Sequence, residues 1–149
     1  MVEIVDASGQ SFLERVLSSY PDIDHTVETR QFQVGRVETM HTCLAIASMH
    51  PTIKAPFVVQ LEEYLPMYWH RGYFFDHIGE DNAQDAFNFL VGFFEEEILY
   101  GVRVQDDTVF GGGPIQSANV LQGKTWLRNS DETVEIRSWR GTYDQDLRL

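Results

Sequence analysis

The stretch from Asp81 to Gly101 constrains the fold more than any other part of the chain. Asp81 followed three residues later by Gln84 is a capping-box start, in which each side chain bonds the other residue's backbone N–H. Ala83, Ala86, Phe87, Leu90, Phe94 and Ile98 recur at the spacing of a buried helix face. Phe89, Val91 and Phe93 widen that stripe until the helix must be covered on more than one side. Gly101 offers the left-handed residue that ends such a helix. Glu95, Glu96 and Glu97 then fall in its last turns, where the dipole is already negative and like charges repel. That placement costs roughly 0.3–1 kcal/mol locally. A binding role for the three acids explains why the chain tolerates them.

The length of 149 residues suits one domain with a real core, so 1–149 is expected to fold as a single unit. No apolar run approaches the roughly 18–20 residues needed to span a bilayer, and Met1 to Asp6 lacks the basic and then apolar pattern of a secretory signal. Cys43 is the only cysteine, which excludes an internal disulfide and fits a reducing compartment. A cytoplasmic protein is expected, without cofactor and without a membrane partner.

The formal charge is −12 and is unevenly spread. Ala55 to Asp107 holds eleven acids and two bases, whereas Thr108 to Leu149 holds five of each. Direct nucleic-acid binding is disfavoured, because phosphate contacts need clustered Lys and Arg. An acidic face instead steers a basic partner, including the nucleic-acid-binding surface of another protein.

Elsewhere, Ser8 to Leu17 patterns as a short amphipathic helix stopped at Tyr20-Pro21. Thr26 to Val34 alternates weakly, as a strand. Val37, Met40, Leu44 and Ala47 share one side of an expected second helix over Val37–Met49. Ile53–Leu61 is β-like, Tyr64–Ile78 is mixed, and Val102-Arg103-Val104 is a strand leaving the long helix. Gly111-Gly112-Gly113-Pro114 predicts a flexible connection. Lys124–Arg128 and Thr133–Trp139, joined by Asn129–Glu132, predict a hairpin, and Asp144–Leu149 an end that frays. The class is α+β, with helices in the first two thirds packed on a mostly antiparallel sheet completed by the C-terminal hairpin.

Candidate chemistry is sparse. His70, Asp76 and His77 are a conceivable ligand set for zinc or another divalent ion, but the histidines do not have helical i, i+4 spacing. Cys43, among Leu44, Ala45 and Ile46, reads as a small core residue rather than a nucleophile. Glu62-Glu63 and Glu95-Glu96-Glu97 are paired acids better suited to binding than to acid–base catalysis. Tyr68, Trp69 and Tyr73 lie beside them in an aromatic segment, and Tyr and Trp are the usual anchors of an interface.

Together these features point to a small cytoplasmic inhibitor of a basic protein, of the immunity-protein, antitoxin or nucleic-acid-mimic type. Its contact residues are expected to be Glu62, Glu63, Tyr68, Trp69, Tyr73, Glu95, Glu96 and Glu97. Two alternatives remain. One is a small-molecule- or metal-binding domain or modest enzyme with an aromatic pocket. The other is a structural homo-oligomer subunit.

Overall fold

The computed structural model describes residues 6–149. Helix α1 (Ala7–Ser19) begins where the Asp6 carboxylate accepts the backbone N–H groups of Ser8 and Gly9, and it ends at Tyr20 ahead of Pro21. Phe12, Leu13 and Val16 form its buried stripe. A Cβ on Gly9 would lie 2.3 Å from the Leu61 carbonyl oxygen, so a glycine is required for α1 to lie this close to the chain beneath it.

Strands β1 (His25–Val34) and β2 (Val37–Ile46) form one long antiparallel hairpin. The helix expected over Val37–Met49 is therefore a strand. Its apolar spacing suits either structure, but Val37, Thr39, Thr42 and Ile46 are β-branched and favour a pleated surface. Gly35 at φ 63 closes a two-residue turn that sets β2 directly against β1. Strand β3 (Phe57–Gln60) meets β2 only at Cys43–Ile46, so the outer half of the hairpin projects beyond it. Strands β4 (Met67–Trp69) and β5 (Gly72–Phe75) complete a five-stranded antiparallel sheet in the order β1-β2-β3-β4-β5.

Helix α2 (Asn82–Phe94) starts where expected, with Asp81 accepting the Gln84 N–H at 3.1 Å, but the capping box is half formed, because the Gln84 side chain bonds Arg15 and Asn88 instead. It ends seven residues before Gly101. Glu96 takes the left-handed conformation, φ 60, with its N–H on Phe93 O and the Glu97 N–H on Gly92 O. This is the double closure of a Schellman cap with glutamate in the glycine position. Ile98 to Gly101 instead open β6 (Ile98–Gln105).

The second sheet runs β7 (Thr108–Gln116), β6, β8 (Thr133–Arg137), β9 (Gln145–Leu147), all antiparallel. Asp106 and Asp107, both at positive φ, make the β6–β7 turn. The glycine run expected to be a flexible connection is inside β7, where a Gly112 Cβ would meet the Gly101 carbonyl oxygen at 2.3 Å. The expected C-terminal hairpin holds in part: its second arm is the strand β8, paired antiparallel with β6 and β9, but its first arm does not form, because Ser117–Trp126 makes 3-10 turns. Part of the end expected to fray is β9. The fold is α+β, but strands fill the first two thirds as well as the last.

The largest apolar cluster joins α1, α2, the inner face of the five-stranded sheet (Leu44, Ile46, Phe57, Val59, Met67, Trp69, Phe74) and one face of β6. A second cluster, including Leu99, Ile115, Val134 and Ile136, fills the space between the four-stranded sheet and the 3-10 turns. Among the described residues no helix is long and apolar enough to cross a membrane.

Candidate functional site

Successive residues of a strand point to opposite faces of its sheet. In β4 this sends Met67 and Trp69 inward and Tyr68 outward. Cross-strand partners share a face, so Tyr68 brings Val58 and Tyr73 with it, and Val58 brings Ala45. On this outer face Cys43, Ala45 and Val58 are buried beneath Phe32 and Tyr68, and that cluster contains no helical residue. Both helices serve the other side.

The outer face carries a row of rings. His41 and Phe32 lie 5.4 Å apart between centroids, Phe32 and Tyr68 5.0 Å, and Tyr68 and Tyr73 5.9 Å. These are edge or tilted contacts of the kind aromatic quadrupoles favour. By strand alternation the row continues along the projecting hairpin to Val34 and Val37, which are 72% and 61% exposed.

Carboxylates are built into the row. Glu62 bonds His41 Nδ1, while His41 Nε2 lies 2.8 Å from the Thr39 hydroxyl. Asp76 accepts from the Tyr73 hydroxyl at 2.8 Å, and Gln60 donates to the Tyr68 oxygen at 3.2 Å. Burial, and then the Glu62 carboxylate, raise the Tyr68 phenol above its ordinary range. Burial and the bond to Asp76 push Tyr73 up to about 12. Both phenols are therefore neutral donors at physiological pH. Burial also pushes the Cys43 thiol up to about 12, so it lacks the thiolate that a nucleophile needs.

The residues expected to form a partner surface divide sharply. Glu62, Tyr68 and Tyr73 come together on the outer face, and Glu63 is exposed next in the chain to Glu62. Trp69 does not join them. It is 2% exposed and packs on Phe93, Tyr100 and Trp139. The three acids after α2 do not form one face either. Glu95 and Glu97 are exposed, but Glu96 turns inward and accepts the backbone N–H groups of Arg140 and Thr142 and the Thr142 hydroxyl, the last at 2.7 Å. Burial works against its charge, yet these bonds and the Ser138 hydroxyl together hold its carboxyl below the ordinary range. The left-handed cap explains the inward turn.

His70, Asp76 and His77 have separate partners. Asp76 serves Tyr73, and His70 lies 3.6 Å from Glu135, which also takes a two-pronged bond from Arg71 at 2.7 and 2.8 Å. His77 is buried edge-on against the stacked rings of Phe75 and Phe89, and burial holds its imidazole below the ordinary range. Among the described residues no group of three or more His, Cys, Asp or Glu side chains is arranged to hold a metal.

Phe32, His41, Val34 and Val37 were missed as surface residues. The alternation of β1 marks Phe32 and Val34, but treating β2 as a helix hid their partners His41 and Val37. The chain matches no known family model, no curated protein and no solved structure.

Proposed function

We propose that this chain is a small acidic binding protein that occupies and blocks a basic protein partner, as an immunity protein, antitoxin or nucleic-acid mimic does. The contact surface is the outer face of the five-stranded sheet. The observation that carries this is the ring row His41–Phe32–Tyr68–Tyr73 on a face no helix covers, with Glu62 and Asp76 bonded into it. Tyr and Phe supply area that is held rigid before contact, and such anchors carry most of the energy of a protein interface. The carboxylates, within a chain of charge −12, speed the encounter and select against acidic partners.

The test is affinity capture from host lysate at low and high salt, followed by association kinetics with the captured protein. A basic protein retained at low salt, with slower association as salt rises, is the expected result. Tyr68→Ala with Tyr73→Ala should raise its off-rate by at least about 30-fold, the scale of a hot-spot loss. Glu62→Gln with Asp76→Asn should mainly slow association. Glu95→Lys serves as a charge change outside the face. Retention unaffected by the tyrosine pair would overturn the assignment of this face.

A further inference from the structure

We infer that β6, β7 and the turn after the 3-10 segment form a separate binding site for a small planar anion, an aromatic ring bearing one carboxylate or phosphate. Residues paired across β6 and β7 share a face, so Gly101 lies beside Gly113 and Arg103 beside Gly111. Three of these four have no side chain, which leaves this stretch of the face bare, and Gly111 carries it into the adjoining cavity. Trp126 covers part of it, its indole Cζ3 lying 3.0 Å from where a Gly101 Cβ would be. At Gly111 and Gly113 nothing lies within 4 Å of the corresponding position. Gly111 needs glycine for its φ of 138, but Gly113 has no such requirement, and packing does not explain it.

A register shift beside Arg103 adds a second feature. Arg103 pairs with Gly111 and Val104 with Val109, so Phe110 is the unpaired residue of a bulge. Bulges re-aim side chains. Here Phe110 is 50% exposed, with its ring under the Arg103 guanidinium at 5.4 Å from the centroid. Arg128 completes a cavity of about 330 Å³ with Arg103, Phe110, Gly111, Gly112, Thr125 and Trp126. That is at the small end of ligand pockets, which run roughly 300–1,000 Å³.

The electrostatics select the ligand. In a chain of charge −12, neither Arg103 nor Arg128 forms an ion pair among the described residues. Arg103 gives one N–H to the Trp126 carbonyl at 3.4 Å. A guanidinium has five donors, so both arginines keep the two-pronged geometry that a carboxylate or phosphate fits. The aromatic walls suit a flat ring, which also stacks under a guanidinium. The surrounding segment, Thr108 to Leu149, has equal numbers of acids and bases and so does not repel an anion as the rest of the chain does.

The test is an amide NMR titration of the full chain, following Gly111, Gly112 and Gly113. The probes are adenosine monophosphate and indole-3-acetate, with adenosine and inorganic phosphate as partial probes. At least one ring anion should shift these amides saturably at millimolar concentration, and adenosine and phosphate should not. Binding only by the nucleotide identifies a phosphate head, and binding only by indole-3-acetate a carboxylate. Arg128→Gln, at an exposed position, should weaken binding by at least about tenfold, the worth of one charge-assisted bond. Phe110→Ala should weaken it too. The inference is overturned if neither ring anion shifts the glycine amides, if phosphate or adenosine alone does as well, or if Arg128→Gln and Arg103→Gln both leave the affinity unchanged.

Discussion

Tyr68 and Trp69 are neighbours in β4, are both aromatic, and have opposite fates. Trp69 enters a ring cluster with Phe93, Tyr100 and Trp139 on the helix-covered face of the sheet. Tyr68 faces outward, with one flank on Phe32 and Tyr73. Composition does not separate these faces, since both are aromatic. What separates them is which side α1 and α2 cover, together with the polar tips of the outer rings: Tyr68 and Tyr73 end in hydroxyls bonded to Gln60 and Asp76. A ring that ends in a satisfied hydroxyl is stable at a half-wet surface, and Tyr is accordingly common at interfaces. An aromatic row on an uncovered face is therefore a stronger pointer to binding than aromatic density along the chain.

The largest expected effect contrasts the faces directly. Trp69→Ala should cost about 3–5 kcal/mol by urea unfolding, as for other large core truncations, whereas Tyr73→Ala should cost under about 1 kcal/mol. Equal losses would mean that the outer face is a second core and not a free surface.

The same contrast holds among the acids. Glu96→Ala should cost about 1–3 kcal/mol, because it strands the donors of Arg140 and Thr142. Glu95→Ala should stay within about 0.5 kcal/mol, as an exposed substitution. The folded Glu96 carboxyl lies below its ordinary 4.5, so its contribution is full above that value and is lost as the pH falls through the lower folded one. Glu96→Gln should therefore flatten the acid limb of the stability curve, and Glu95→Gln should not.

A smaller effect tests the buried edge of β5. His77 is held below its ordinary 6.5 chiefly by burial, so the folded chain prefers it neutral. Its contribution is full above pH 6.5 and declines as the pH falls through the folded value. His77→Phe keeps a ring against Phe75 and Phe89 and should reduce the loss of melting temperature from neutral pH downward. His70, held low by burial and Arg71, contributes to the slope that remains, and Glu96 joins it at lower pH. An unchanged slope would show that His77 stays accessible to protonation without penalty.

Local chemistry made part of the molecule legible. Asp81 with Gln84 fixes the start of α2 wherever the chain goes next, and Tyr20-Pro21 ends α1, because capping and proline act within a few residues. The strand at Val102–Val104 was legible from its alternating β-branched residues. Tyr68, Tyr73 and Glu62, named from the sequence as contact residues, share one face, since they lie close in the chain and Tyr68 and Tyr73 pair across one tight hairpin.

Tertiary structure decided the rest. Val37–Ile46 carries a helical spacing but is a strand, because the Gly35 turn places it against β1, and the ladders with β1 and β3 supply hydrogen bonds in place of a helix's own. The glycines of β7 look like a loop until Gly101 and Val102 are laid beside Gly112 and leave no room for a Cβ. Glu96 looks like its two acidic neighbours until the left-handed cap aims it at Arg140 and Thr142, more than forty residues away. Phe32 meets Tyr68 only because a hairpin from one end of the sheet reaches strand β4. The sequence by itself determined where α2 begins, where α1 ends and which residues are apolar, since those depend on near neighbours. Which face is covered, and hence which aromatics form a surface, depends on contacts between distant segments, and only the folded chain decides it.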